Sequence, residues 1–285
     1  LTTSSSSMTQ LPQQVKKAYI NAGKVNNWGL EAALGFKNTW NDFFWSTQFT
    51  FSMNKNKIKE LIPEGALDVT GKPIDVNEVN MDYGGYRMKI TEGGSIGDFY
   101  VTGLKTDDQG RIYVDPNSNT VITDPNTWIY AGNTEAKARL GWNNTFAYKG
   151  VSLSFLIDAR IGGRGASATQ ALMDRWGASK ASADARDNGG VWISEDQKIP
   201  DAKTFYANNG NGTSMLAHYI YDMTNVRLRE LSIGYDLPRK WFKDKLGMTV
   251  SLVGHNLWMI YNKAPFDPEL TASTGTYYQG LDFFM

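Results

Sequence analysis

Phe43 to Met53, Arg139 to Tyr148 and Val151 to Ile161 each alternate apolar and polar residues over ten or more positions. In the first stretch Phe43, Trp45, Thr47, Phe49, Phe51 and Met53 fall on one parity. Phe44, Ser46, Gln48, Thr50, Ser52 and Asn54 fall on the other. A period of two describes an extended strand with two unlike faces. Strands of this length, apolar on one side and small and polar on the other, suit a slice of a membrane barrel with lipid outside and water inside. The predicted fold class is therefore all-β, an antiparallel transmembrane β-barrel fragment with long strands, short periplasmic turns and long extracellular loops.

The same pattern predicts six strands, at 27–38, 43–53, 138–148, 151–161, 226–236 and 248–258, arranged as three hairpins. Two of the turns are short, Thr39-Trp40-Asn41-Asp42 and Lys149-Gly150, and a longer basic one runs from Leu237 to Gly247 with Pro238 inside it. Between hairpins lie long connections rich in Gly, Asn, Asp and Ser, about 54–137 and 162–225. Structureless loops of that length are foreign to a compact soluble domain but expected outside a barrel. The predicted organisation is a loop over 1–17, C-terminal barrel strands over 18–258, and an extracellular loop over 259–285 before a missing last strand. In the fifth strand Val226 and Leu228 sit on one parity and Leu231, Ile233 and Tyr235 on the other, with Arg229-Glu230 between. Such a slip predicts a β-bulge or the end of the apolar zone.

Composition narrows the function classes. The chain has 29 Lys+Arg against 29 Asp+Glu, so no global basic field points to nucleic acid. It holds 14 Tyr, 13 Phe and 9 Trp, and these crowd the strand ends. Trp40, Phe43, Phe44, Trp45, Tyr148, Tyr235, Trp241 and Phe242 lie near the short turns, with Trp28, Tyr130, Trp258 and Tyr261 at the opposite ends, where interfacial girdles belong. No apolar run approaches the roughly 18 residues of a membrane helix. The absence of cysteine excludes disulfides and thiolate metal sites. No initiator Met, basic n-region or apolar h-region is visible at Leu1.

Several motifs carry a family resemblance. Asn21-Ala22-Gly23-Lys24-Val25-Asn26-Asn27-Trp28-Gly29-Leu30-Glu31 resembles the N-x-G-x-x-x-N-x-G-x-E strand entry of SusC/RagA-type TonB-dependent outer-membrane transporters. In the family's order there follow Glu92 to Tyr100, Gly132-Asn133 leading to Trp142 to Gly150, Val226-Arg227-Leu228 with Leu231 to Pro238, Gly254 to Trp258, and Asp267-Pro268-Glu269. The resemblance covers about Ala18 to Phe284. One departure is Asn133-Thr134-Glu135-Ala136-Lys137, where the family tends to carry prolines. The resemblance implies the C-terminal third of a plugged barrel of about 22 strands, multi-pass in the outer membrane of a Gram-negative cell. It also implies import of glycan oligomers or peptides, powered by TonB through an N-terminal region absent from this chain, with a SusD-like surface lipoprotein as partner. A further strand ending in an aromatic residue is expected after Gly280 to Phe284.

Site candidates stand beside plainer explanations. Gly163-Arg164-Gly165-Ala166-Ser167-Ala168, with Asp184 about twenty residues on, matches a dinucleotide fingerprint. The preceding strand alternates instead of being apolar on both faces, which favours a glycine-rich exit from a barrel strand. His218 and His255 lack paired ligand spacing, so neither a metal nor a catalytic histidine is expected. Asp267 and Glu269 across Pro268 fit an acid pair or a calcium shell less well than a stiffened Asp-Pro step. For substrate contact the candidates are the loop aromatics Trp176, Trp192 and Tyr206, with Arg186 and Asp187 as polar partners, because planar rings stack on sugar or peptide faces. The rival use of such residues is to pack a long loop on itself. Gln48, Asp158 and Arg160 are expected on the lumen side. No enzyme activity and no cofactor are expected. The alternative to an importer is a soluble all-β glycan-binding or adhesin module, in which the aromatic faces would meet in a sandwich.

Overall fold

The computed structural model describes residues 23–67, 72–82, 86–118, 120–209 and 216–269. The loop expected over 1–17, the part of the expected 259–285 loop beyond 269, and the last strand expected after it lie outside these residues; the last described strand runs to Asn262, into the expected loop.

Along the chain, β1 (Lys24–Trp40) and β2 (Phe43–Glu60) form the first hairpin. The first long connection contains β3 (Glu78–Asp82), β4 (Tyr86–Thr91), β5 (Asp98–Leu104), β6 (Val114–Asp115), β7 (Thr120–Val121) and β8 (Thr123–Asn133). β9 (Ala138–Tyr148) and β10 (Val151–Ile161) form the second hairpin. The second connection holds β11 (Arg164–Ala166), α1 (Ala168–Arg175), α2 (Lys180–Asp187), β12 (Val191–Trp192), β13 (Lys198–Ile199), α3 (Ala202–Asn209) and β14 (Ile220–Asp222). β15 (Asn225–Leu237) and β16 (Met248–Asn262) close the series. The long connections, read from sequence as loops, thus carry small sheets and helices of their own. The described residues divide into two compact units, one within 23–28, 55–133 and 174–217, the other within 29–54, 134–173 and 218–269.

The second unit is built on a six-stranded antiparallel sheet in the order β1-β2-β9-β10-β15-β16, a meander of the three expected hairpins. Lys149 and Gly150 both have positive φ, 46° and 87°. That is the backbone a two-residue hairpin turn requires to match strand twist. Phe43, Trp45, Thr47, Phe49 and Phe51 stand opposite Tyr148, Phe146, Asn144, Trp142 and Leu140. Those residues in turn face Val151, Leu153, Phe155, Ile157 and Ala159. The rings of this face touch from strand to strand: Trp45 and Phe146 lie 6.3 Å apart at 4°, and Trp142 meets Phe155 edge-on at 5.6 Å. The face is left open on its outer side, with Leu34 77% and Leu252 75% exposed. Two polar residues interrupt it. Thr47 Oγ1 accepts from Trp142 Nε1 at 3.1 Å, and Asn144 Oδ1 from Trp45 Nε1 at 3.3 Å, so the rings that cover these groups also bond to them.

The expected break in the fifth strand is a β-bulge. Leu231 pairs with Phe155 and Glu230 with Leu156, but the next partner of Ile157 is Leu228, leaving Arg229 as the extra residue. The bulge keeps Leu231, Ile233 and Tyr235 on the apolar face together with Val226 and Leu228, whose parity is opposite.

The first unit contains a four-stranded antiparallel sheet, β3-β4-β5-β8. β5 alternates strictly, burying Phe99, Val101 and Gly103. One core gathers Ile58, Leu61 and Ile90 with Val25 and Val79; a second gathers Val121, Ile199 and Phe205 with Leu104, Val114 and Tyr206. The Glu92 to Tyr100 stretch is a pinned loop. Ile58 N–H donates to Gly94 O at 2.9 Å, Asn56 Oδ1 accepts from the Ser95 hydroxyl at 2.7 Å, and Asp98 accepts from Ser95 N–H at 2.8 Å.

Candidate functional site: the polar face of the six-stranded sheet

The face opposite the apolar band carries Gln48, Thr50 and Ser52 on β2, then Asn143, Gly141 and Arg139 on β9, then Leu156, Asp158 and Arg160 on β10. This places Gln48, Asp158 and Arg160 together on one face, as their parity required. Glu31, Ser52, Arg139, Gly141 and Asp158 border a cleft of about 600 Å³ on the sheet. Gly141 is required there by close approach: a Cβ at this position would stand 2.6 Å from Thr50 Oγ1.

Beside the cleft, the bulge delivers a guanidinium. Arg229 donates from Nε to Asp158 Oδ2 at 3.0 Å, from Nη1 to Asn256 Oδ1 at 2.8 Å and to Glu269 Oε2 at 2.7 Å, and from Nη2 to Glu269 Oε1. Arg227, opposite Asp158 in the ladder, is 5% exposed and pairs with Asp267, with Glu269 Oε2 at 3.8 Å from its Nη1. The planar fork of arginine suits such multiple bonding to carboxylates. Pro268 is fully buried, and Phe266 and Ala264 pack on Met223 and Tyr221, so apolar contacts hold the same segment that the ion pairs fix. The Arg229 hydrogen bond holds the Glu269 carboxyl below its ordinary range, against a desolvation that works the other way. Asp267 and Glu269 are therefore partners of Arg227 and Arg229, and Asp267 Oδ1 also accepts from Glu269 N–H at 3.0 Å across Pro268. The sequence signal that could have found the network is the matched spacing: two arginines two apart on a strand, two carboxylates two apart across a proline.

The substrate candidates lie elsewhere, in the first unit. Trp176 is 74% and Trp192 63% exposed. Each has a cation near its ring, Arg175 at 5.6 Å and Lys198 at 5.4 Å. Arg186 lies in α2, and its two terminal nitrogens donate to Gly177 O at 3.4 and 3.3 Å, so it secures the turn after Trp176. Asp187 ends α2. Tyr206 is half-buried against Phe205, and burial pushes its phenol up. The structure thus links Arg186 to the Trp176 turn and places Tyr206 in a core.

The dinucleotide fingerprint is explained differently. β11 pairs antiparallel with β14, not within a parallel βαβ unit. Gly165 packs against the Met223 side chain, where a Cβ would stand 2.6 Å from Cε and force that side chain to shift. Among the described residues no group of three His, Asp or Glu side chains is placed to hold a metal, and no helix is long and apolar enough to cross a membrane.

No family model matches the chain. TonB-dependent receptor P3 of Formosa agariphila is 30% identical over 265 residues, covering 87% of this chain and 26% of that protein. TonB-dependent receptor P39 of the same organism is 25% identical, covering 91% of this chain and 29% of its own length. The chain therefore spans about a quarter of the length of these curated relatives. In fold, the RagAB peptide transporter structure superposes with a TM-score of 0.56 at 17% identity, over 90% of this chain and 28% of that one. These relatives are receptors and a transporter, not enzymes. The sequence likeness over nearly the whole chain and the two-faced antiparallel sheet agree: the chain is similar to a part of the TonB-dependent receptors, and its fold is that of a part of the RagAB transporter structure.

Proposed function

We propose that this chain supplies barrel wall and extracellular loops to an outer-membrane importer that takes up peptides or glycan oligomers, driven by TonB, with a SusD-like surface lipoprotein at its mouth. The observation that carries the reading is the six-stranded sheet with one open apolar aromatic face and one polar face holding a cleft and an ordered ion network. An apolar face suits lipid and a hydrogen-bonding face suits a hydrated path. Peptides gain support from the solved transporter of like fold, which is named for peptide transport. Trp176 and Trp192 are the proposed stacking residues for substrate, since their rings are exposed. A soluble sandwich is disfavoured because the apolar face leaves side chains such as Leu34 and Leu252 exposed instead of buried in a core.

The test uses cells carrying the full-length protein and supplied with fluorescent oligopeptides or oligosaccharides. Accumulation of one class in the periplasm should vanish when TonB is deleted. Uptake unaffected by that deletion would overturn the proposal.

A further inference from the structure

The apolar parity of β2 does not end in polar residues of mixed kind. Phe49, Phe51 and Met53 are followed on the same parity by Lys55, Lys57 and Lys59, all exposed, while Ile58 on the other parity is fully buried. Successive lysines on one face of a strand stand about 7 Å apart. None of the three has an ion pair among the described residues. At the same level a shallow cleft of about 410 Å³ is bordered by Asn26, Trp28, Lys55, Lys57, Gly93 and Asp98. Trp28 is 58% exposed. The Asp98 carboxylate is already engaged by Ser95 N–H, Asn133 Nδ2 and Tyr130 O–H, which leaves the lysines as the free charge at the cleft.

We infer that Lys55, Lys57 and Lys59, with Trp28 beside them, bind the phosphorylated headgroup of an outer-leaflet glycolipid. The argument is one of order along β2, with Trp28 beside it on β1. Apolar side chains that meet acyl chains are followed by ammonium groups on long stems that reach phosphates, and the neighbouring indole favours the headgroup level. A substrate-contacting patch belongs on the opposite parity, with Gln48, Thr50 and Ser52. Three adjacent like charges without carboxylate partners repel one another, and a multiply charged anion removes that cost.

This inference rests on the outer-membrane reading above, so the experiment separates the two. Full-length transporter is reconstituted in phosphatidylcholine nanodiscs doped with diphosphoryl lipid A or with its dephosphorylated form, and retained lipid is counted by native mass spectrometry. The wild type should retain the phosphorylated form preferentially. Each Lys→Gln substitution at 55, 57 or 59 should lower retention about fivefold, and the triple variant on the order of a hundredfold. Equal retention of the two lipids by the wild type, a comparison that needs no variant, would overturn the inference. So would displacement of the lipid by millimolar inorganic phosphate, which would mark a site for a free anion. A brominated-lipid quenching measurement on the same nanodiscs reports membrane burial of the apolar face independently. Quenching without phosphate preference defeats this inference alone, and absence of quenching defeats the membrane reading.

Discussion

Replacing Phe49 by Arg tests the facing of the wall most directly. Phe49 lies six residues beyond Phe43, the first residue of β2 after the turn, which is about 20 Å along an extended strand. A strand tilt of about 40° reduces this to about 15 Å of height, close to the middle of an apolar band about 25 Å tall. The side chain is 44% exposed on the face shared with Trp142, its partner across the ladder. A cation at midplane costs about 2–4 kcal/mol. The full-length Phe49→Arg protein should therefore lose about 2–4 kcal/mol in urea unfolding from lipid vesicles. Gln48→Arg, one residue away on the polar face, should lose less than about 1 kcal/mol. A sandwich core would also reject Arg at 49, so a second readout is needed. Brominated lipid should quench a tryptophan placed at 49 strongly and one at 48 weakly, in a protein otherwise depleted of tryptophan. Equal costs and equal quenching at the two positions would refute the assigned faces.

Four further outcomes are expected. Arg229→Met strands the Asp158 and Glu269 carboxylates, which are about a third exposed, so unfolding should show a loss of about 2–3 kcal/mol, with much of it recovered when Asp158→Asn and Glu269→Gln are added. Because Arg229 depresses the folded-state Glu269 titration, the stabilisation is complete above the ordinary value of 4.5 and is lost as pH falls through the lower folded value. Glu269→Gln should flatten the pH dependence of stability on the acid side of the ordinary value of 4.5, and an unchanged slope would contradict the ion network. Gly141→Ala should cost about 1–2 kcal/mol alone and close to nothing in a Thr50→Ala background, a coupling that a double-mutant cycle reads. For topology, cysteines at Asp42 and Lys203 should react with an impermeant maleimide on whole cells only at Lys203.

The strands were legible in the sequence where a single period ran unbroken. β9 and β10 have the expected limits, and β15 the expected bulge, because period-two alternation and its one slip are local properties of the chain. β2 continues seven residues past the expected Met53, through Asn54 to Glu60. Lysine and asparagine on both sides of that stretch hide the alternation from a hydrophobicity reading, and only the burial of Ile58 against Val25 shows it. The small sheets and helices of the long connections were not legible. Strands such as β6 and β12 are two residues long, and their existence depends on a core assembled from Val121, Ile199 and Phe205, which are distant in sequence. The ion network escaped for a related reason: Arg229 and Glu269 are forty residues apart, and a strand pattern says nothing about where a following turn folds back.

The bulge at Arg229 has a consequence for how such a wall can change. Removing Arg229 from the chain would join Leu228 directly to Glu230, and the remaining residues would then alternate without a slip, with Val226, Leu228, Leu231, Ile233 and Tyr235 still on the apolar side. Arg229 is therefore an extra residue on β15 that adds a charged group to the polar side while leaving the lipid-side positions of β15 opposite their β10 partners. Insertions and deletions in a strict two-residue repeat normally exchange the two sides wholesale, and a lineage under selection for an intact envelope would eliminate them. A site that accepts a single-residue length change without this penalty lets the chemistry inside the barrel diversify at a rate independent of the constraints imposed by the bilayer.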